Sequence, residues 1–274
     1  MIELPETYVL AKQINTAIAG KTIKTATANA HPHAFAFYTG DPASYGAMLE
    51  GKAVVSANPG KGSNGGSTEI HCEDMQLRIS TPIKYHTQGS KLPKSHQLLL
   101  EFDDDSFMSC TVQMWGGMYC SPAAKREDDN NIITPSPLDE AFDEAYWDRL
   151  LESAKPVLSM KALLATEQRI PGLGNGVLHD ILFNARLNPK RKLETLSDDD
   201  KIRLFKHVKS TLKKMRDAGG RDTEKDLFNQ PGGYQTILSA ISWKRSGRCP
   251  VCAMSIVRSA YLGGTIYYCP ACQV

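Results

Sequence analysis

Cys249-Pro250-Val251-Cys252 and Cys269-Pro270-Ala271-Cys272 lie near the end of the 274-residue chain, separated by sixteen residues that include Gly263-Gly264 and Tyr267-Tyr268. Two tight C-x-x-C turns joined by a hairpin-length segment deliver four thiolates to a tetrahedral Zn²⁺ at about 2.3 Å without needing a large core. The competing reading is two disulfides. Against it, Cys72, Cys110 and Cys120 stand singly and bring the total to an odd seven, a usage that suits a reducing compartment. The stretch therefore predicts a zinc ribbon holding one structural zinc.

Outward from the ribbon, Lys244, Arg245 and Arg248 abut its first cysteine pair, and residues 186 to 225 carry a dense run of lysine and arginine from Arg186 to Arg216. Such stripes read as a footprint for a phosphate backbone. A solvated helix face is the plain alternative, because Asp198-Asp199-Asp200 interrupts the run. The net charge of +2 does not decide between them. Residues 101 to 148 are instead acid-rich, with Asp103-Asp104-Asp105 and Asp128-Asp129.

The half that carries the basic run has helical periodicity over 138–151, 157–166, 176–184 and 198–218, with Asn188-Pro189 and Gly219-Gly220 as breaks. Before it, 122–137 is rich in Pro, Asn, Asp and Thr and reads as a linker. From about Lys21 to Tyr119 short alternating runs at 21–23, 35–38, 53–57, 67–72, 76–80, 97–102 and 106–112, separated by turn residues, read as the strands of a sandwich or barrel. A short amphipathic helix over Glu6 to Ile18 precedes them. No apolar run approaches the roughly 18 residues of a membrane span. The opening Met1-Ile2-Glu3-Leu4-Pro5-Glu6 has no signal-peptide character, so a cytoplasmic location is expected.

Several of these pieces together resemble the formamidopyrimidine-DNA glycosylase and endonuclease VIII family. They are Met1 to Glu6, the segment from Lys161 through Ile170-Pro171-Gly172-Leu173-Gly174-Asn175, Ala218-Gly219-Gly220 with Pro231-Gly232-Gly233-Tyr234, and the cysteine ribbon ending in Gln273. The resemblance implies an α+β protein with an N-terminal antiparallel β-sandwich over 1–121, the linker 122–137, a helix-two-turn-helix domain over 138–242 and the zinc hairpin over 243–274. It implies a monomer that works on double-stranded, damaged or distorted DNA near the nucleoid, flips a damaged base, cuts the glycosidic bond and nicks the abasic strand.

The resemblance also assigns residues. Lys161 and Asn175 would hold phosphate, and Gly174 would let the backbone approach it; a Gly turn capping a core helix is the plain reading of the same G-x-G-N. Asp180 falls where the family often has glutamate, beside the DNA site. Lys61 aligns with a sandwich lysine that touches the phosphate next to the lesion. Glu3 matches the acid at the sugar and Glu6 a second carboxylate near the damaged nucleotide, although both could merely open a helix whose dipole favours acids. Gln113 and Trp115 stand where the family fills the space left by the flipped base; Met114 and Trp115 read equally as core, and for Met114 that is the better reading.

Two departures matter. The family's zinc-hairpin arginine falls near Gly263-Gly264, leaving Arg258, Arg248 and Lys244 as substitutes. Ile2 stands where the family exposes a proline amine as nucleophile. A primary amine at residue 2 could form the same imine, but a side chain as large as Ile2 predicts that Met1 is retained, so that the residue 2 nitrogen is an amide. That departure separates N-glycosylase activity from AP-lyase activity. A damaged-DNA-binding protein of the same fold with impaired chemistry, and a zinc-ribbon RNA-binding protein, are the rival readings.

Overall fold

The structure is a computed structural model that describes residues 2–123 and 134–274. Met1, Asp128-Asp129 and most of the linker expected at 122–137 lie outside the described residues. The chain forms two compact units. One comprises Met1–Gly60, Gly66–Ile132 and Glu224–Gly232, and the other Lys61–Gly65, Ile133–Thr223 and Gly233–Val274. The linear partition read from the sequence has neither of the two short exchanged segments.

In the first unit, helix α1 (Leu4–Ala17) turns Leu10 and Ile14 inward. Two sheets share its core. Strands β1 (Ile23–Ala28), β7 (Leu98–Phe102), β8 (Phe107–Cys110) and β6 (Ile83–His86) form one, in the order β1-β7-β8-β6. The other runs β2-β9-β5-β4-β3, from β2 (Ala36–Tyr38), β9 (Gly116–Pro122), β5 (Met75–Ile79), β4 (Thr68–Cys72) and β3 (Ser56–Pro59). Pairing is antiparallel throughout except between β2 and β9. Alternate residues such as Leu77, Ile79, Leu98, Leu100, Met118 and Cys120 meet in one buried cluster.

Burial pushes the thiols of Cys72 and Cys110 up to about 12 and that of Cys120 up to about 11, so all three behave as small core hydrophobes. The returning segment adds Leu227 to this core. It is pinned there because Leu227 N–H donates to Gln13 Oε1 at 3.0 Å and Tyr85 N–H to the Leu227 carbonyl at 2.8 Å. Strands β6 and β9 and the short helix α2 (Tyr45–Leu49) were not expected. In β9 the glycine pair that looks like a turn marks close approach: a Cβ on Gly116 would lie 2.2 Å from Thr81 Cγ2.

The second unit is helical, with a terminal hairpin. Helix α3 (Glu144–Glu152) starts six residues later than the expected 138, where Asp143 accepts the Tyr146 N–H at 2.7 Å. The expected helix over 157–166 is a π-helical turn at Ala162–Thr166. Helix α4 (Asn175–Asn184) is buried along Val177 to Phe183. Helix α5 (Asp198–Asp217) opens on a Ser197–Asp200 capping box, and α6 (Ala240–Arg245) leads to the ribbon. Strands β10 (Val257–Tyr261) and β11 (Gly264–Tyr268) pair antiparallel through a two-residue turn in which Leu262 and Gly263 have φ of 44° and 71°. Positive φ at both positions is the demand of a type I′ hairpin. Among the described residues no helix is long and apolar enough to cross a membrane.

Candidate functional site

The Sγ atoms of Cys249, Cys252, Cys269 and Cys272 all lie within 4.8 Å of one another. The Cys249–Cys272 and Cys252–Cys269 separations are 3.8 and 3.5 Å. Four sulfurs about 2.3 Å from a common centre stand about 3.8 Å apart, whereas a disulfide needs about 2.05 Å. The quartet therefore has the dimensions of a metal-binding tetrahedron and not of two disulfides. Backbone N–H of Cys272 donates to Cys269 Sγ at 3.4 Å. Gln273, 1 % exposed, accepts from Cys269 N–H at 2.9 Å and donates to the Leu187 carbonyl at 3.0 Å, tying the knuckle to the turn after α4.

Strand β11 packs on α4, and this contact builds a polar cradle. A Cβ on Gly264 would lie 2.4 Å from Asn175 Nδ2 and 3.2 Å from Lys161 Nζ, so the hairpin backbone, the amide and the ammonium converge at one point. Lys161 is 1 % exposed and donates to the Tyr261 carbonyl; burial pulls its pKa below the ordinary lysine value. Asn175 Oδ1 is buried with no hydrogen-bond partner among the described residues. Gly174 caps α4 and supplies no side chain to its first turn. Lys61 is exposed at the head of a short 3-10 turn over Gly62–Asn64. That loop sits on the approach to α4, since a Cβ on Gly65 would meet the Pro171 carbonyl oxygen at 2.4 Å.

The structure thus brings Lys161, Gly174 and Asn175 to one helix start, with Lys61 in the same unit on the loop whose Gly65 meets Pro171. Two of the substitutes expected from the hairpin have partners within it. Arg258 lies 5.3 Å over the Trp243 ring and Arg248 donates to the Ala253 carbonyl. The missed members are Gly264 and the Tyr261 carbonyl, about ninety to one hundred residues from their partners, which no local pattern joins.

Asp180, expected beside DNA, needs correction. It is fully buried, and its two oxygens accept the Ile237 and Leu238 amides at 2.9 Å each. Burial still pushes its pKa up to about 6, against the lowering effect of those amides, Tyr234 and the Arg221 charge. Its neighbour His179 is held down to about 4 by burial, with the Lys161 charge adding. The imidazole is neutral there and sits edge-on to Tyr267. Arg221, 1 % exposed, completes this buried layer under the cradle.

In the first unit, Glu3 and Glu6 close a capping box at the start of α1: Glu3 N–H donates to Glu6 Oε2 at 3.2 Å while the Glu3 side chain accepts from the Glu6 amide. Both carboxylates are buried, and Ile2 lies beside them in the core cluster. Gln113, Met114 and Trp115 form an exposed bend between β8 and β9. Met114, expected in the core, is 70 % exposed, because this bend has left the sheet. The basic run around α5 is largely answered within the fold: Arg191 and Arg203 pair with Asp200, Lys201 with Asp198, Lys213 and Arg216 with Asp217, and Lys209 with the Phe142 carbonyl. That favours the solvated-face reading for this stripe.

No family model matches the chain. Among curated proteins it is similar to the formamidopyrimidine-DNA glycosylase of Carboxydothermus hydrogenoformans, 28 % identical over 202 residues that cover 73 % of this chain and 72 % of the relative. The corresponding glycosylase of Thermus thermophilus is 33 % identical over 146 residues, so the chain matches about half of that relative, 53 %, with 52 % of its own length. That of Mycoplasmopsis pulmonis is 25 % identical over 287 aligned positions, 100 % of this chain and 98 % of the relative. Among solved structures the chain superposes on the MutM (Fpg) protein from Thermus thermophilus with a TM-score of 0.77, at 23 % identity, covering 99 % of this chain and 98 % of that one. A Lactococcus lactis Fpg complexed with DNA containing an abasic site gives 0.81 at 20 % identity, covering 99 % of each.

Proposed function

We propose that this chain, a member of the formamidopyrimidine-DNA glycosylase and endonuclease VIII family, is a base-excision repair protein that binds damaged double-stranded DNA and releases the damaged base as an N-glycosylase. The cradle at the start of α4 carries the reading. An ammonium, a side-chain amide and a glycine-capped helix N-terminus on one point suit a phosphate oxygen. An anion there would also offset the hydration that Lys161 loses on burial. Gly174 leaves room for the approach, and Lys61 adds a second cation from the loop seated on Pro171. The cysteine quartet is proposed to hold one Zn²⁺, which supplies no reaction chemistry and fixes the hairpin that presents Gly264.

At the start of α1, Glu3 is the proposed acid–base group. In hydrolysis a water adds to the sugar C1′, the base leaves with the electrons of the glycosidic bond, and the carboxylate accepts the proton that water gives up. Glu6 holds Glu3 through the capping box. Ile2 is assigned an anchoring part by its buried side chain, and AP-lyase activity is not assigned. Gln113 and Trp115 are proposed to meet the duplex where the base has left it. The working division stays 1–121, 138–242 and 243–274, acting as a monomer at the nucleoid.

The test is base release from duplexes carrying a panel of oxidised, ring-opened or alkylated bases, run beside borohydride trapping and intact-mass measurement of the N-terminus. Release without a trapped adduct, from protein that retains Met1, is expected. Tight lesion binding with no release from any substrate would leave a damaged-DNA-binding protein, and preference for structured RNA would remove the DNA reading.

A further inference from the structure

Three consecutive amides on the chain that enters α6 are taken up by carboxylates. Thr236 N–H donates to Asp222 Oδ1 at 3.1 Å, and the Ile237 and Leu238 amides donate to Asp180 Oδ2 and Oδ1 at 2.9 Å each. Thr236 to Leu238 lie in neither a helix nor a strand, so side chains here do what a backbone ladder does elsewhere. Leu238 then packs in one buried cluster with Phe183 of α4 and with Cys249, Ile256, Tyr267 and Cys269 of the ribbon. Asp180 thus grips the backbone that carries the ribbon's own small core. Its neighbour His179 grips the hairpin itself. A ring N–H of His179 donates to the Thr265 carbonyl, and the ring stands edge-on to Tyr267 at 5.5 Å. Thr265 follows Gly264, the residue that meets Asn175 at the start of the same helix.

We infer that Asp180 is a positioning residue for the phosphate cradle: by clasping the Ile237 and Leu238 amides it sets where the ribbon rests on α4, and so how Gly264 stands to Asn175 and Lys161. The inference rests on the reading of the cradle given above. Three observations carry it beyond ordinary core packing. Apolar contacts such as those of Leu238 are non-directional, whereas two bonds from one carboxylate to successive amides fix both distance and rotation. The cradle has little slack, because a Cβ on Gly264 would already lie 2.4 Å from Asn175 Nδ2, and a misplacement of about 1 Å at a working site costs on the order of 10²-fold. Lastly, Asp180 is fully buried. A carboxylate kept there against its lost hydration contributes placement more than stability.

The experiment uses the full zinc-loaded chain in four proteins: wild type, Asp180→Glu, Lys161→Ala and the two substitutions combined. Asp180→Glu keeps the charge and both oxygens and moves them by one methylene. Anisotropy on a lesion duplex gives affinity, and zinc stoichiometry and hydrogen exchange over 261–268 are measured beside it. Asp180→Glu is expected to bind zinc fully, to exchange faster over 261–268 and to lose about tenfold or more in duplex affinity. In the Lys161→Ala background the same substitution is expected to change affinity by less than about twofold, because the cradle it positions is already broken. Equal affinity of wild type and Asp180→Glu overturns the inference. So does a loss of the same size in both backgrounds, which would mean that Asp180 serves the fold at large. Should Asp180→Glu not fold, Asp180→Asn, which keeps one acceptor oxygen, enters the same cycle with the same expectations. A wild type that binds no duplex sinks the reading of the cradle, and hydrogen exchange then decides alone. Faster exchange over 261–268 in the variant supports the positioning role, and equal exchange overturns it.

Discussion

Helices α1 and α4 both start at residues assigned to function, and they start in opposite ways. At α1 the Glu3–Glu6 capping box and Pro5 close the first turn with the chain's own groups. At α4 the cap is Gly174, which has no side chain to close the turn, and Asn175 and Lys161 stand beside it. A self-capped helix start is complete without a ligand. One capped by glycine brings no carboxylate of its own to the partial positive charge of its first turn. The contrast separates the proposed place for positioning carboxylates from the proposed place for receiving phosphate.

The largest effect should come from removing what holds the hairpin to α4. Cys269→Ser, or exhaustive chelation, is expected to unfold 249–272 and to lower DNA affinity by at least about 100-fold. Hydrogen exchange across the ribbon and anisotropy on a lesion duplex would read both, and full affinity in demetallated protein would break the contrast. Gly264→Ala pushes a methyl to 2.4 Å from Asn175 Nδ2. An affinity loss of about 10- to 100-fold and a stability cost of about 1–3 kcal/mol are expected, the second measurable by urea denaturation.

The buried layer beneath the cradle gives a pH signature. His179 is held down to about 4, below the roughly 6.5 of an unfolded histidine. The unfolded chain therefore takes up a proton that the native one refuses, and stability falls as pH drops from about 6.5 to about 4. Asp180 is pushed up to about 6, above the roughly 3.9 of an unfolded aspartate, so its contribution is present at low pH and lost as pH rises through 4 to 6. The two offset each other in the wild type. In His179→Asn the Asp180 trend stands alone, and denaturation midpoints should fall between pH 4 and 6, by on the order of 2 kcal/mol. A profile that still rises over that range would show that His179 is not the group responsible.

Smaller effects separate the two helix starts directly. Lys161→Ala should weaken duplex binding and reduce the slope of log affinity against log salt by about 1, checked by titration at several salt concentrations. An unchanged slope would remove Lys161 from the phosphate site. Glu6→Ala should cost about 1 kcal/mol through loss of the α1 cap and leave that slope unchanged. If the slope moves as well, the α1 start is also a DNA contact and the distinction fails.

Local features were legible in sequence and distant ones were not. The cysteine pairs carry their geometry within a few residues, so spacing alone identified them, whereas the Gly-Leu-Gly-Asn start of α4 was singled out by the family resemblance. Asp180 read as a DNA contact because it falls where the family often has glutamate, and a resemblance in sequence does not show which way a side chain turns on a helix buried on nearly every side. Met114 read as core from its chemistry, although the bend that exposes it depends on where β8 and β9 stop pairing. Gly264 looked like a plain turn glycine until β11 came to rest on α4, a contact between residues 89 positions apart in the chain. Leu227 gave no local sign that it would join a core built from the first 122 residues.

Gln273 carries a consequence beyond metal binding. With a hydrophobic isostere at this position all four cysteines could still take up zinc, yet the Cys269 amide and the Leu187 carbonyl would both lose their partner. Such a protein would pass a zinc assay at full stoichiometry and still hold its hairpin less firmly on the turn after α4, because coordination would fold the ribbon while Gln273 helps to berth it.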